Sequence, residues 1–332
     1  LFRSIKTNIL PNADALFLTA IDPYGHELWR WTFPVNKLNQ QTEQLSPLSS
    51  RPTYTETEND LTVKANKRTF IFSKKDGQLK GVSVDNRKIS FANGPRFIGD
   101  RRADRSLDQF YNHDDEKAKE KDRTYSEFPD AAVFTKLDVK QDGGDLVVTA
   151  NYKLGNLDKA QWTINPSGDL ALDYTYNFSG VVDLMGIRFD YPEDQVISKR
   201  WLGAGPYRVW QNRIHGTQYD VWENDYNDPI PGETFTYPEF KGYFGDVSWM
   251  NIQTKEGTIS LTNETPDAYI GVYQPRDGRD RLLYTLPESG ISVLNVIPPV
   301  RNKVNSTDLC GPSSQPKWVN GPQTGRVIFR FM

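Results

Sequence analysis

From Tyr54 onward, apolar and β-branched positions come in short runs separated by turn residues. Leu61 to Ala65, Arg68 to Ser73 and Gly81 to Val84 are such runs, and Lys74-Lys75-Asp76-Gly77 between the last two is a hairpin signal. Lys88 to Phe97 reads as a strand entering a Gly94-Pro95 turn. Ala132 to Val139, Asp145 to Tyr152, Lys159 to Ile164 and Asp169 to Phe178 follow, joined by Gln141-Asp142-Gly143-Gly144, Leu154-Gly155-Asn156 and Asn165-Pro166-Ser167-Gly168. Thr258 to Asn263, Tyr269 to Tyr273, Ile291 to Ile297 and Arg326 to Phe331 continue the series. Strand-length runs with Gly, Asn and Pro turns at such spacing predict a sandwich or barrel. No stretch keeps helical periodicity beyond two turns. The pattern predicts an all-β fold, and residues 53–332 are too many for a single sandwich of ~100 residues, so a large double sheet is expected.

Residues 1–35 carry a separate signal. Ala15 to Ile21 is a continuous β-prone run, and Asp22-Pro23-Tyr24-Gly25 has the residues of a type I turn. Glu27 to Val35 then alternates, with Leu28, Arg30 and Thr32 on one face and Trp29, Trp31 and Phe33 on the other. This predicts a hairpin from a small sandwich, too short to hold a core by itself. Residues 36–52 are polar and close on two prolines and three serines, which predicts a linker. Residues 98–127 hold a dense run of mixed charge, expected as a solvated loop or short surface helix. The first residues already read as the interior of a domain, so the chain is expected to be a piece of a longer protein.

Charge narrows the function classes. Forty basic and 43 acidic residues give a net charge of -3, which predicts no nucleic-acid partner. No apolar run reaches the ~18 residues of a spanning helix, so no membrane span is expected. Cys310 is alone, which leaves no internal disulfide and no cysteine metal cluster, and His26, His113 and His215 are scattered. Eight Trp and sixteen Tyr are many for this length, and a large core uses some. Others are expected as flat platforms for the C–H face of a sugar.

Four stretches are candidates for function. In Trp201 to Arg213, Gly203, Gly205 and Pro206 sit between Trp201, Tyr207 and Trp210. Such a turn lets backbone approach closely. It reads either as the rim of a carbohydrate site or as a buried corner between strands. Trp222-Glu223-Asn224-Asp225-Tyr226-Asn227-Asp228 is acidic and aromatic, and reads as a polar loop or as a source of acid/base carboxylates. Neighbouring side chains of a strand point to opposite faces, which weighs against the second reading. The carboxylates of 220–228 offer oxygens to a structural calcium or sodium ion, although their spacing does not demand one, and no cofactor is expected. Tyr237-Pro238-Glu239-Phe240-Lys241-Gly242 with Asp246-Val247-Ser248-Trp249 is a turn and then a strand. Asp308 to Trp318 reads as an ordered loop that projects an indole before the last strand.

Taken in order, Gly203-Ala204-Gly205-Pro206 ending at Asn212-Arg213, Pro238 to Gly242 with Asp246 to Trp249, and Gly311 to Trp318 ahead of Arg326-Val327-Ile328-Phe329 resemble the C-terminal region of glycoside hydrolase family 2 β-galactosidases. The resemblance covers residues 52–332. It implies a two-sheet supersandwich like that of galactose mutarotase over 53–332, with 1–35 as the end of an immunoglobulin-like domain. It implies a carbohydrate partner and an upstream catalytic (β/α)₈ barrel, of which this chain has no trace. It also implies a periplasmic or extracellular location. Where the family turn carries Glu, Tyr and Asp, this chain has Arg208, Trp210 and Asn212. By position Trp318 corresponds to the Trp that borders the substrate in relatives. The candidate substrate-binding residues are therefore Trp318, Trp210, Arg208, Tyr207, Asn212 and Arg213, with no catalytic and no metal-ligating residue.

Three functions follow as expectations. The first is an accessory region of a family 2 glycoside hydrolase that completes the substrate pocket and is inactive alone. The second is an independent carbohydrate-binding module using Trp201, Trp210, Trp222 and Tyr207. The third is a mutarotase-type epimerase, for which His215 and Glu223 are the available acid/base pair.

Overall fold

The computed structural model describes residues 13–35, 50–102, 125–225, 242–272, 290–299 and 311–332. Strands β1 (Ala15–Ile21) and β2 (Glu27–Pro34) form a two-stranded antiparallel sheet. The turn between them is closed by Asp22, whose Oδ1 accepts from the backbone of Tyr24 and His26 at 2.8 Å each. Most of the predicted linker, 36–49, lies outside the described residues, as does 103–124 of the mixed-charge run.

The rest of the chain is built from strands. They are β3 (Thr53–Glu56), β4 (Asp60–Ala65), β5 (Arg68–Ser73), β6 (Leu79–Val84), β7 (Arg87–Ile89), β8 (Ala92–Arg102) and β9 (Tyr125–Glu127). Then come β10 (Val133–Asp142), β11 (Asp145–Lys153), β12 (Leu157–Ile164), β13 (Leu170–Val182), β14 (Leu184–Asp190), β15 (Val196–Gly205) and β16 (Gln218–Asp225). The series ends with β17 (Trp249–Thr254), β18 (Gly257–Asn263), β19 (Tyr269–Gly271), β20 (Ile291–Val296) and β21 (Lys317–Phe331).

Two large sheets result. One runs β10-β11-β12-β13-β21-β18-β17-β15-β16 and the other β19-β20-β14-β8-β6-β5-β4-β3, with β7 beside β6 and β9 beside β8. The strand ladders are antiparallel, so each strand sends alternate residues to one face. In β11, Leu146, Val148 and Ala150 are buried while Val147 and Thr149 are not. The inner faces meet in a core rich in aromatic rings. Phe72 of β5 meets Trp162 of β12 at 5.9 Å, and Phe91 lies 4.9 Å from Phe329 of β21. Each such ring, fully buried, contributes roughly 1.5–3 kcal/mol. Arg68 of β5 bolts the sheets at one end. Its Nε donates to the Phe331 carbonyl at 2.7 Å and its Nη1 to the Ser167 carbonyl at 2.6 Å. Among the described residues no helix is long and apolar enough to cross a membrane.

Three local expectations change. Gly94 and Pro95 lie inside β8 and not in a turn. Glu223 and Asp225, expected in a polar loop, belong to β16, the edge strand of the nine-stranded sheet; 226–228 lie outside the described residues. The final strand begins at Lys317, not Arg326, so Trp318 stands on β21 and not on a loop. The reason is local pairing. β18 pairs with β21 only over Val327 to Phe331, while β13 pairs with it from Lys317. The first half of β21 is thus bonded on one side, where Pro322 is tolerated.

The hairpin approaches β16. Arg30 Nη1 lies 3.6 Å from Asp220 Oδ2, and the same guanidinium sits over the Phe17 ring at 5.5 Å.

Candidate functional site

Strand β15 carries Trp201 into the core, where its indole donates to the Ala204 carbonyl at 3.0 Å. The chain then turns through Gly205 and Pro206. A side chain at Gly205 would run into the Trp222 indole, and one at Gly203 would meet the Gly245 carbonyl oxygen and Val247 Cα at 3.0 Å. Both glycines thus serve close approach. At Gly203 what approaches is the 242–248 segment. Ala204 donates to the Gly245 carbonyl at 2.9 Å, and Ser248 to the Leu202 carbonyl at 2.8 Å. Val209 and Tyr243 exchange backbone bonds of 2.7 and 2.9 Å.

The third stretch joins from the other side. The Gln211 amide donates to the carbonyls of Ser313 at 3.0 Å and Gln315 at 2.8 Å, and Asn212 Nδ2 donates to Ser314 Oγ at 2.9 Å. The three stretches that stood far apart in sequence therefore form one corner. Residues 238–241 of the second lie outside the described residues.

Inside the corner Phe244 is fully buried. Trp201 meets it edge-on at 4.9 Å, and two cations lie over its ring, Lys199 Nζ at 5.8 Å and Arg208 Cζ at 5.6 Å. The negative face of the ring attracts both. Trp210 packs edge-on against Tyr243 at 5.7 Å, in a small cluster with Ile98, Leu184, Leu294 and Ile297. Arg208 and Trp210 are 6% and 3% exposed, so both serve the packing of the corner and neither presents a face to solvent. Tyr207 and Arg213 are exposed, and Asn212 is half-buried with its amide committed to Ser314.

Trp318 is 71% exposed and faces Val181 across the β13–β21 ladder. Two residues on, Asn320 Oδ1 accepts from Ser179 Oγ at 2.7 Å, and this pair shares the outward face with Trp318. Trp318 thus stands on the outside of the nine-stranded sheet. His215 and Glu223 are both exposed, and Glu223 stands opposite Arg200 in the β15–β16 ladder. The Tyr219 hydroxyl lies 2.5 Å from Ser248 Oγ; burial raises its pKa, and the Ser248 hydrogen bond offsets part of that rise. Among the described residues no group of three or more His, Cys, Asp and Glu side chains is placed to hold a metal ion. What the corner offers chemically is a rigid support with polar and aromatic side chains on its rim.

Sequence reasoning missed the pairing of Lys199 with Phe244. The available signal was position, because Lys199 stands two residues before the buried Trp201 and shares its face.

A family profile for the beta galactosidase small chain matches residues 64–298, well over half of the chain and all of the corner except 311–315. This chain belongs to the beta galactosidase small chain family. Trp318 and the hairpin lie beyond the matched residues. No curated protein matches the chain. Among solved structures it is similar to galactose 1-epimerase from Lactobacillus acidophilus NCFM, at 10% identity, over 85% of this chain and 99% of that one, with a TM-score of 0.48. It is also similar to a GalM/aldose epimerase homologue from C. elegans, at 6% identity, over 85% and 99% of the two chains, with a TM-score of 0.39.

Proposed function

We propose that this member of the beta galactosidase small chain family is the accessory region of a family 2 glycoside hydrolase. It packs on a catalytic (β/α)₈ barrel, lends exposed side chains to the sugar pocket and carries no catalytic group of its own. The observation that carries this reading is the clamp of Gln211 and Asn212 on residues 313–315. It joins the stretches of family resemblance into one fixed support, and a rigid support is what positions side chains for recognition.

In this reading Tyr207, Arg213 and Trp318 meet carbohydrate, Arg208 and Trp210 hold the corner beneath them, and Asn212 fixes the loop. The hairpin 13–35 is the remainder of an immunoglobulin-like domain between the barrel and the supersandwich, and the parent protein acts in the periplasm or outside the cell. The test is complementation with a separately produced catalytic (β/α)₈ barrel of a family 2 β-galactosidase. Adding this chain should raise its hydrolysis of a nitrophenyl β-galactoside, and Trp318→Ala should raise KM. An unchanged rate on addition would overturn the accessory role. Tight oligosaccharide binding by this chain alone, lost on Tyr207→Ala, would support the independent binding module instead.

A further inference from the structure

We infer that the outer face of the nine-stranded sheet carries a saccharide-binding cleft of its own, on β12, β13 and β21. The ladder register sets its floor. Gln161 stands beside Asp173, and Asp173 beside Arg326; one step along, Lys159 pairs with Thr175 and Thr175 with Thr324. The intervening Ala160 and Tyr174 are buried in the core, so these six side chains share the solvent face. Glu264 and Pro266, in the turn after β18, stand at one side as a wall. The cleft is open to solvent and offers about 340 Å³, within the range of small-ligand sites.

Arg326 gives the floor a fixed shape. Its guanidinium is held by Asp173 on one side, and its Nε lies 2.9 Å from Glu264 Oε2 on the other. The charges in the cleft balance, Lys159 and Arg326 against Asp173 and Glu264. A phosphate or a metal cation therefore meets no net opposite charge. Hydroxyl groups, which both donate and accept, meet the Gln161 amide, two threonine hydroxyls, an ammonium and the free lone pairs of two carboxylates. That set fits a neutral polyhydroxylated ligand, a mono- or disaccharide. Among the described residues no exposed aromatic ring lines the cleft, so binding rests on hydrogen bonds, and an affinity on the order of millimolar is expected.

The cleft is separate from the rim of the corner and does not depend on the accessory reading. Trp318 is on the same strand face as Thr324 but six residues away, roughly 20 Å of extended chain, farther than one sugar ring reaches.

Calorimetric titration of the full chain with galactose, lactose and cellobiose tests this, with inorganic phosphate as the control. At least one sugar should bind saturably, and phosphate should not. The double variant Gln161→Ala/Thr175→Ala truncates two half-buried side chains of the solvent face and leaves the core side chains in place, so its melting temperature should change little. Its affinity should fall about tenfold, as for two neutral hydrogen bonds. Trp318→Ala should leave that binding unchanged. The proposal is overturned if none of the sugars binds, if phosphate binds more tightly than they do, if the double variant binds like the unaltered chain, or if Trp318→Ala abolishes the binding.

Discussion

Gln211 donates its side-chain amide to the carbonyl of Gln315 at 2.8 Å, and these residues are 104 positions apart in the chain. The same amide reaches Ser313, so one nearly buried side chain holds two turns of the 311–315 loop against the corner. Gln211→Ala removes one donor from each of two carbonyls. The cost is about 1–3 kcal/mol, read as a melting temperature lower by several degrees. Hydrogen exchange should quicken over 311–315 before it does in the core strands. Unchanged exchange there would show that the loop is held by other contacts.

Gly205 has no room for a side chain, because Trp222 fills the space where one would stand. Gly205→Val must push the indole off its hydrogen bond to the Gln218 carbonyl, now 3.0 Å. Overpacking of this kind costs about 1–3 kcal/mol or more. Thermal unfolding checks it: a lowered midpoint is expected, and an unchanged one would remove the turn from the list of constraints.

Asp169 and Arg330 form a two-pronged ion pair, with Arg330 Nε at 2.6 Å from Oδ1 and Nη2 at 2.8 Å from Oδ2. Burial pushes the Asp169 carboxyl up, but the hydrogen bonds and charge of Arg330, with Asn165 and Arg68 adding, outweigh it and hold it below its ordinary value. The unfolded carboxyl titrates near ~3.9. Stabilisation from this pair is therefore fully present above that pH and is lost as pH falls through the lower folded value. Asp169→Asn should cost about 3 kcal/mol at pH 7 and lose less further stability between pH 5 and pH 2 than the unaltered chain. Parallel pH profiles for the two would contradict the assignment.

The fold was legible because most strands show one face to the core and one to water. Arg68 to Ser73 and Asp145 to Tyr152 could be bounded from alternation and flanking turn residues alone, and β5 and β11 begin where those runs begin. The first half of β21 was not legible. Gly321, Pro322 and Gly325 read as loop residues, yet that segment pairs with β13 alone, and a strand bonded on one side accepts them. The site was half legible. Order along the chain singled out the three stretches that meet in the corner, but nothing local told which aromatics would be buried. Trp210 went inward because Tyr243, more than thirty residues on, supplies its packing partner, whereas Trp318 stands opposite Val181 and stays in solvent.

The central claim is that this chain supports catalysis performed elsewhere. The most direct measurement is turnover by the chain alone, for both hydrolysis of nitrophenyl β-galactosides and interconversion of galactose anomers. Rates equal to buffer are expected in both assays. Saturable turnover in either, abolished by His215→Ala or Glu223→Gln, would contradict the claim.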